Sequence, residues 1–257
     1  MDDLKNFMDF YNNPYSKEMT KNFGLIADYA ATVLSSFSNM LENVAKDDEE
    51  SRNLSDYCQN MINSLTAQLQ RTGIFCSAIL SDNAKFRQIK AEKYLNDFVS
   101  GCKRVLGEKC KITAAVQQDF IAVTSSELLD MLLLGFIRKS CASESGKPSI
   151  LTSFDISAAI KNDIPQITAD AGELIQQTNY DPFGMCDFFE HFFNEFASLI
   201  AEKLHLQIDV AQNHMTIKFI PSDYDDMITF HSNRVQLANE GRSLFRIMLD
   251  DFDSSQP

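Results

Sequence analysis

Two long apolar stripes in the first third of the chain restrict the fold more than any other feature. Between residues 23 and 44, apolar side chains recur every three or four residues, with no proline and no glycine after Gly24. A second stripe with the same spacing runs from residue 54 to about residue 80, after the short polar segment 46–51. Such spacing places apolar residues on one side of an α-helix, so each stripe predicts a long helix with a face to bury.

The short break between the stripes predicts that the two helices are neighbours. Short connections join antiparallel helices, so residues 1–82 are predicted to form a helical hairpin domain. Two helices cannot bury both stripes completely on each other. A second copy of the chain removes the surplus by forming a four-helix bundle, and we therefore expect a homodimer. The alternative is that the hairpin packs on the rest of its own chain.

The second predicted domain, 83–257, alternates between helical and strand-like patterns. Its predicted elements are, in order, a helix at 85–106, strands at 111–117 and 120–124, a helix at 128–140, strands at 150–157 and 165–170, a helix at 182–205, and strands at 206–212 and 215–221. This order predicts a helix layer on one face of a mixed sheet, so the fold class is α+β. After Pro221, a strand at 225–231 and a helix at 235–252 are predicted as an extension.

Local signals refine these elements. Gln118 and Asp119 separate the first two strands and indicate that they form a β-hairpin, and Asn213 and His214 do the same for the strands at 206–212 and 215–221. A polar turn is predicted between the strands at 150–157 and 165–170. Thr124 and Glu127 have the spacing of a capping box, which predicts that a helix begins there.

Charge and composition argue against several classes of partner. The net charge of −13 is unsuited to binding nucleic acid or an anionic membrane surface. No apolar run reaches the roughly 20 residues that cross a bilayer, and the first ten residues lack the pattern of a signal peptide. The six cysteines contain no CxxC pair, which is typical of a reduced, cytoplasmic protein.

The order of these parts resembles the catalytic core of a bacterial sensor histidine kinase over residues 17–221. In that family, a dimerising hairpin that carries the phosphoacceptor histidine precedes an ATP-binding sandwich. The stretch Ile26-Ala27-Asp28-Tyr29 matches the acceptor box, with Asp28 in place of the histidine. The chain has no histidine before residue 191. The resemblance therefore implies a hairpin without its acceptor, and it extends to the related sporulation-type phosphotransferases.

The family's nucleotide-binding residues are also replaced. Leu134 and Arg138 occupy the positions that the resemblance gives to the asparagine helix, and neither side chain offers the oxygen ligands that Mg²⁺ needs. Asp170 and Gly172 are the only remnant of the first glycine box, and no GxG pair occurs in the chain. Phosphate-binding loops need glycines for close backbone approach, so we expect no cofactor and no metal site.

Two functional hypotheses follow from this pattern. The first is a non-catalytic, cytoplasmic signalling or scaffold protein that dimerises and binds a partner such as a response-regulator receiver domain. The resemblance places receiver docking beside the acceptor position, here at Leu25, Asp28, Tyr29 and Thr32. The second is a divergent ATP-binding histidine kinase or phosphotransferase that uses other residues.

Overall fold

The computed structural model describes residues 14–42, 49–80, 86–107, 110–141, 149–176, 188–220 and 244–249. Two compact units contain them. Unit 1 holds the described residues before position 81 together with Phe188, and unit 2 holds the other described residues from position 86 onward.

Unit 1 consists of two long helices, α1 (Pro14–Glu42) and α2 (Glu49–Leu80), which confirms the two predicted helices. They run antiparallel, because Gly24 lies against Cys76 while Ser38 bonds to Gln59 and Asn63. The side of α1 that is buried carries small residues rather than large ones: Gly24, Ala27, Ala31 and Ser38. A Cβ atom on Gly24 would lie 3.1 Å from Cys76 Cβ, so glycine allows the close approach of the two helices here.

A polar cluster fixes the alignment of the two helices. Ser38 is only 7% exposed, and its hydroxyl makes two hydrogen bonds. It donates to Asn63 Oδ1 and accepts from Gln59 Nε2, both at 3.2 Å. Because buried polar groups are costly without partners, these bonds favour one register of the hairpin over a register shifted by a turn.

Unit 2 alternates short strands and helices. The elements are β1 (Arg87–Lys90), α3 (Ala91–Leu106), β2 (Lys111–Val116), β3 (Ile121–Thr124), α4 (Ser126–Cys141), β4 (Ser149–Leu151), β5 (Ser153–Lys161), β6 (Ile164–Ala171), β7 (Leu174–Gln176), α5 (Phe188–Leu204), β8 (Leu206–Val210), β9 (His214–Phe219) and α6 (Leu244–Leu249).

The main sheet has the strand order β2-β5-β6-β9-β8, in which β2 and β5 are parallel and the other pairs are antiparallel. One face of it is apolar and buried, and the helices pack there. Phe136 of α4 lies 6.1 Å from the ring of Phe154 on β5 and 5.9 Å from that of Phe193 on α5. The other face carries polar, more exposed side chains. This is the predicted α+β arrangement of a helix layer on a mixed sheet.

The predicted polar turn between the two central strands is present at Asn162 and Asp163. Both residues have positive φ, 52° and 62°. Two-residue hairpins favour this conformation because it follows the twist of the strands, and Asn and Asp tolerate it better than most residues.

The prediction of a hairpin at 111–124 is wrong in its pairing. Both strands exist, but β2 pairs in parallel with β5, and β3 pairs with β1. The segment 87–90, predicted as the start of a helix, is therefore a strand. Local sequence indicated strands but carried no information about which strand each one pairs with.

The connection between β2 and β3 instead caps the N-terminal end of α3. The Asp119 carboxylate accepts the backbone N–H of Glu92 at 2.9 Å, and the N–H of Ala91 bonds to Phe120 O at 2.9 Å. Lys90, the N-cap residue of α3, makes no capping bond with its own side chain. Asp119 thus supplies the cap from a distant part of the chain and also pairs with Lys90 Nζ at 3.1 Å.

The capping box predicted from Thr124 and Glu127 is wrong, because the helix begins at Ser126 and its third residue is Leu128, whose side chain cannot accept a hydrogen bond. Ser125, not Thr124, lies at the cap of α4, where its hydroxyl is 3.5 Å from the N–H of Leu128. Thr124 is still part of β3, and its buried hydroxyl has no hydrogen-bond partner among the described residues. The predicted strand at 225–231 and most of the predicted helix at 235–252 lie outside the described residues.

We expect Asp119→Asn to lower the melting temperature by about 2 °C at pH 7. The Glu92 N–H bond is the main cause that lowers the pKa of Asp119, and the contact with Lys90 acts in the same direction. A carboxyl group with a lowered pKa stabilises the fold above its unfolded-state pKa and loses this contribution as the pH falls through its folded-state pKa. The two melting temperatures should therefore converge below about pH 4.

Asp163→Asn is the matched control, because Asp163 is an exposed turn residue whose conformation asparagine also adopts. Its melting temperature should follow that of the wild type at every pH. A constant gap between Asp119→Asn and the wild type down to pH 2 would show that the charge of Asp119 does not act as a cap.

Candidate functional site

Three of the four predicted docking residues lie on the outer side of α1. Leu25 and Tyr29 are 59% and 72% exposed, and Thr32 is exposed as well. These three residues recur at positions i, i+4 and i+7, so they form one accessible strip, which we refer to as the docking strip. Asp28 belongs to the same helix, but its side chain lies outside the described part of the structure.

A second exposed strip on α1 is formed by large apolar side chains. At about 100° per residue, these positions lie beside the docking strip and away from the small residues that face α2. Each is more than a third exposed in the single chain, and the members are Phe23, Ile26, Val33, Phe37 and Met40. The most apolar side of α1 is thus the side that α2 leaves uncovered. We refer to these five residues as the apolar strip.

The positions that the resemblance assigns to a metal-binding helix are in the interior of unit 2. Leu134 is fully buried, and Arg138 is 3% exposed. Arg138 Nη1 donates to the carbonyl oxygen of Met248 on α6 at 2.7 Å. A buried leucine and a guanidinium group that binds a carbonyl cannot hold Mg²⁺, which requires oxygen ligands.

Asp170 lies near the end of β6, on the open polar face of the sheet. Its carboxylate is 2.6 Å from Nδ1 of His214 on β9, and Nε2 of that ring is 2.9 Å from Thr216 Oγ1. The side chains of Asp170 and His214 are 58% and 49% exposed. Asp170 is therefore hydrogen-bonded to a side chain of the neighbouring strand β9.

Gly172 has a packing role. A Cβ atom at this position would lie 2.2 Å from Ser153 Oγ and 3.1 Å from Ser153 O. The N–H of Gly172 also donates to Ser153 O at 2.9 Å. Glycine is needed here because β5 passes directly beside it.

The group of Asp170, His214 and Thr216 has the order carboxylate, imidazole and hydroxyl found in hydrolytic triads. A triad also needs donors for the developing oxyanion in a site that excludes water. Here the three side chains lie on a solvent-exposed sheet face, and the adjacent Ser157 and Thr168 hydroxyls bond to each other at 2.6 Å. A ladder of cross-strand hydrogen bonds is therefore the better description.

The sequence pattern does not predict this ladder. His214 was expected only as part of a hairpin turn, whereas it is the first residue of β9. The alternation of His214 and Thr216 on one strand face was a readable signal. Pairing of His214 with Asp170 depends on the register of β6 and β9, which the sequence does not reveal.

Three side chains of unit 2 that could act as nucleophiles, Cys102, Cys110 and Lys139, have surroundings that do not favour nucleophilic attack. Burial raises the pKa of Cys102 well above its usual value and that of Cys110 to about 11, so both thiols are protonated at neutral pH. Burial also lowers the pKa of Lys139, but this amine donates to Ala211 O and lies 5.8 Å from the ring centre of Phe193. Within the described residues, no group of His, Cys, Asp and Glu side chains could hold a metal ion.

The similarity of this chain to known proteins lies in its fold rather than in its sequence. No family model matches the sequence, and no curated protein matches it. Among solved structures, the crystal structure of full-length ShkA in complex with AMPPNP is 12% identical with a TM-score of 0.52, over 78% of this chain and 44% of ShkA. The chain thus spans less than half of the length of ShkA.

Two further structures cover most of the chain. The histidine kinase AdeS of Acinetobacter baumannii is 12% identical over 74% of this chain and 94% of its own, with a TM-score of 0.43. A bacterial phosphotransferase is 12% identical over 80% and 96%, with a TM-score of 0.39. No helix in the described ranges has the length and apolar character of a membrane span. From the match to ShkA and the element order given above, the chain has the fold of a histidine kinase catalytic core.

Proposed function

We propose that this protein is a non-catalytic, histidine-kinase-like component of two-component signalling, which dimerises through its hairpin and binds a receiver domain. The observation that carries the proposal is the burial and hydrogen bonding of Arg138. It stands where the resemblance places an Mg²⁺ ligand, yet it is buried and bonds to the backbone of α6.

Phosphoryl transfer from ATP requires a positioned metal ion and an acceptor. The resemblance gives the acceptor position to Asp28, whose carboxylate cannot form the phosphoramidate of a histidine. With Leu134 and Arg138 at the metal-binding positions, both requirements are unmet. This combination favours a binding role over an enzymatic one.

The apolar strip supports dimerisation. Burying one large apolar side chain stabilises an assembly by about 1.5–3 kcal/mol, and this strip presents five of them along one helix, at 37–67% exposure. A second hairpin offers a matching surface, as in a four-helix bundle. The dimer is therefore proposed to form through Phe23, Ile26, Val33, Phe37 and Met40.

The docking strip is a separate surface that the proposed dimer leaves accessible to a partner. Leu25, Tyr29 and Thr32 lie on the side of α1 opposite α2, so a dimer formed by the apolar strip would not cover all of them. Exposed Tyr29, with its apolar ring and polar hydroxyl, is a residue type enriched at protein interfaces. The family resemblance makes a receiver domain the partner that we propose for Leu25, Asp28, Tyr29 and Thr32.

The alternative is a divergent ATP-binding kinase or phosphotransferase. Two observations favour it: ShkA, which shares the fold, was crystallised with AMPPNP, and Asp170 and Gly172 remain in place. Measurement of nucleotide binding separates this alternative from the binding role.

We expect that millimolar ATP with Mg²⁺ leaves the melting temperature unchanged. A ligand that binds only the folded state at a hundredfold excess over its Kd stabilises it by about 2.7 kcal/mol, which a thermal melt detects as a rise of several degrees. Magnesium chloride alone is the control. A rise that needs both ATP and Mg²⁺, and that Asp170→Asn removes, would establish the alternative.

We expect Phe37→Asp to dissociate the dimer without unfolding the hairpin. Phe37 is 56% exposed in the single chain, so the charge is harmful only in the dimer seam. Light scattering at micromolar concentration should fall from about twice 29.1 kDa to 29.1 kDa. Ser35→Asp, an exposed position on another side of α1, should keep the larger mass. A wild type that is monomeric at all concentrations contradicts the proposal.

We expect Tyr29→Arg to weaken receiver binding at least tenfold while the mass stays that of a dimer. The receiver domains encoded in the same genome are screened for binding to the wild type by biolayer interferometry, and any binder is tested on the variant. The variant Phe37→Asp should lower the mass to that of a monomer but should leave the contact between the docking strip and the receiver unchanged. Wild-type affinity in Tyr29→Arg, or no binder in the complete screen, excludes the docking strip as a receiver site.

A further inference from the structure

Helix α6 is seated in a cleft between α3 and α4 of unit 2. Met248 and Leu249 are completely buried, and the ring of Phe245 lies 5.4 Å from that of the buried Phe98 on α3. These three residues stand at positions i, i+3 and i+4 of a helix, so they point to one side. This is the anchor pattern of an amphipathic helix bound in a groove.

The groove is shaped for an aromatic anchor. Gly101 lies on α3 at the point where Phe245 packs, and a Cβ atom there would be 2.7 Å from Phe245 Cε1 and 2.8 Å from Cζ. A glycine inside a helix costs about 1 kcal/mol relative to alanine. Its presence at this position is explained by the space that the ring occupies.

Arg138 recognises the other end of the bound helix. The carbonyl oxygens in the last turn of a helix have no partner within it, and cations are favourable there. Met248 lies in the last turn of α6, and its carbonyl accepts the 2.7 Å bond from Arg138. The cleft therefore combines an apolar pocket for Phe245, Met248 and Leu249 with a cation that binds the C-terminal end of a helix.

We propose that the cleft between α3 and α4 is a binding site for a short amphipathic helix with an aromatic residue followed three and four positions later by aliphatic residues, and that α6 is its tethered occupant. A helix of this pattern from a partner protein competes with α6 for the cleft. The six residues of α6 are too few to form a stable helix alone, so seating in the cleft is what orders them. The proposal concerns unit 2 alone and does not depend on receiver docking by unit 1.

The direction in which a single substitution, Gly101→Ala, changes the melting temperature tests whether α6 occupies the cleft in solution. Alanine is the better helix former, so Gly101→Ala raises the melting temperature if nothing lies above residue 101. With Phe245 seated there, the same change lowers it. We expect a decrease in the otherwise wild-type chain and an increase in a Phe245→Ala chain, measured as a double-mutant cycle.

Ser100→Ala, on an exposed position of α3, is the control for helix propensity and should behave alike in both backgrounds. If Gly101→Ala raises the melting temperature equally in both backgrounds, α6 does not occupy the cleft and the proposal is overturned. The sign in the otherwise wild-type chain decides this even if Phe245→Ala fails to fold.

A labelled peptide of residues 240–257 tests binding from another molecule. Because a tethered segment competes at an effective concentration in the millimolar range, the peptide should bind the full-length Phe245→Ala protein at least tenfold more tightly than the wild type. Met248→Ala replaces Phe245→Ala if the latter is unfolded by circular dichroism. Adding Gly101→Leu should abolish binding, and so should alanine at the Phe245 position of the peptide. A folded, opened variant that does not bind the peptide overturns the proposal.

Discussion

Unit 2 is organised around α4, a helix buried on almost its whole circumference. Its first three turns place leucines in the interior, Phe136 contacts the sheet and α5, and Arg138 faces α6. A helix that is apolar on every side must be covered on every side. The sheet and α5 cover one part, and α6 adds cover on another. Leu134 and Arg138, which the resemblance assigns to metal-binding positions, are thus core residues of this helix.

Unit 1 shows the opposite distribution. On the α1 side, the contact with α2 uses small residues, which allow the helices to approach closely, while the five large residues of the apolar strip remain outside. Phe75 of α2 is buried at 3% exposure, but the small side chains of α1 bury little area, so the hairpin gains less stability from the packing of α1 than its sequence suggests. The surplus apolar surface on α1 is the physical reason to expect that this unit is completed by another copy.

The sequence was informative where periodicity carries the signal. The two long helices, the central strands with their polar turn at Asn162 and Asp163, and the hairpin of β8 and β9 follow from spacing and turn residues alone. Pairing could not be read in this way: β1 was hidden inside a helix-like segment, and β3 joined it rather than β2. The ladder from Asp170 to Thr216 depends on that same non-local register. The link between Arg138 and Met248 joins parts of the chain that no local pattern connects.

The polar cluster of Ser38, Gln59 and Asn63 has a mechanical consequence. A shift of one helix along the other by a single turn, about 5.4 Å, would break both of its hydrogen bonds. The same shift would bring Cys76 against a position of α1 other than Gly24, where a Cβ atom is present. A rearrangement that preserves these contacts must therefore tilt or rotate the two helices together rather than slide one along the other.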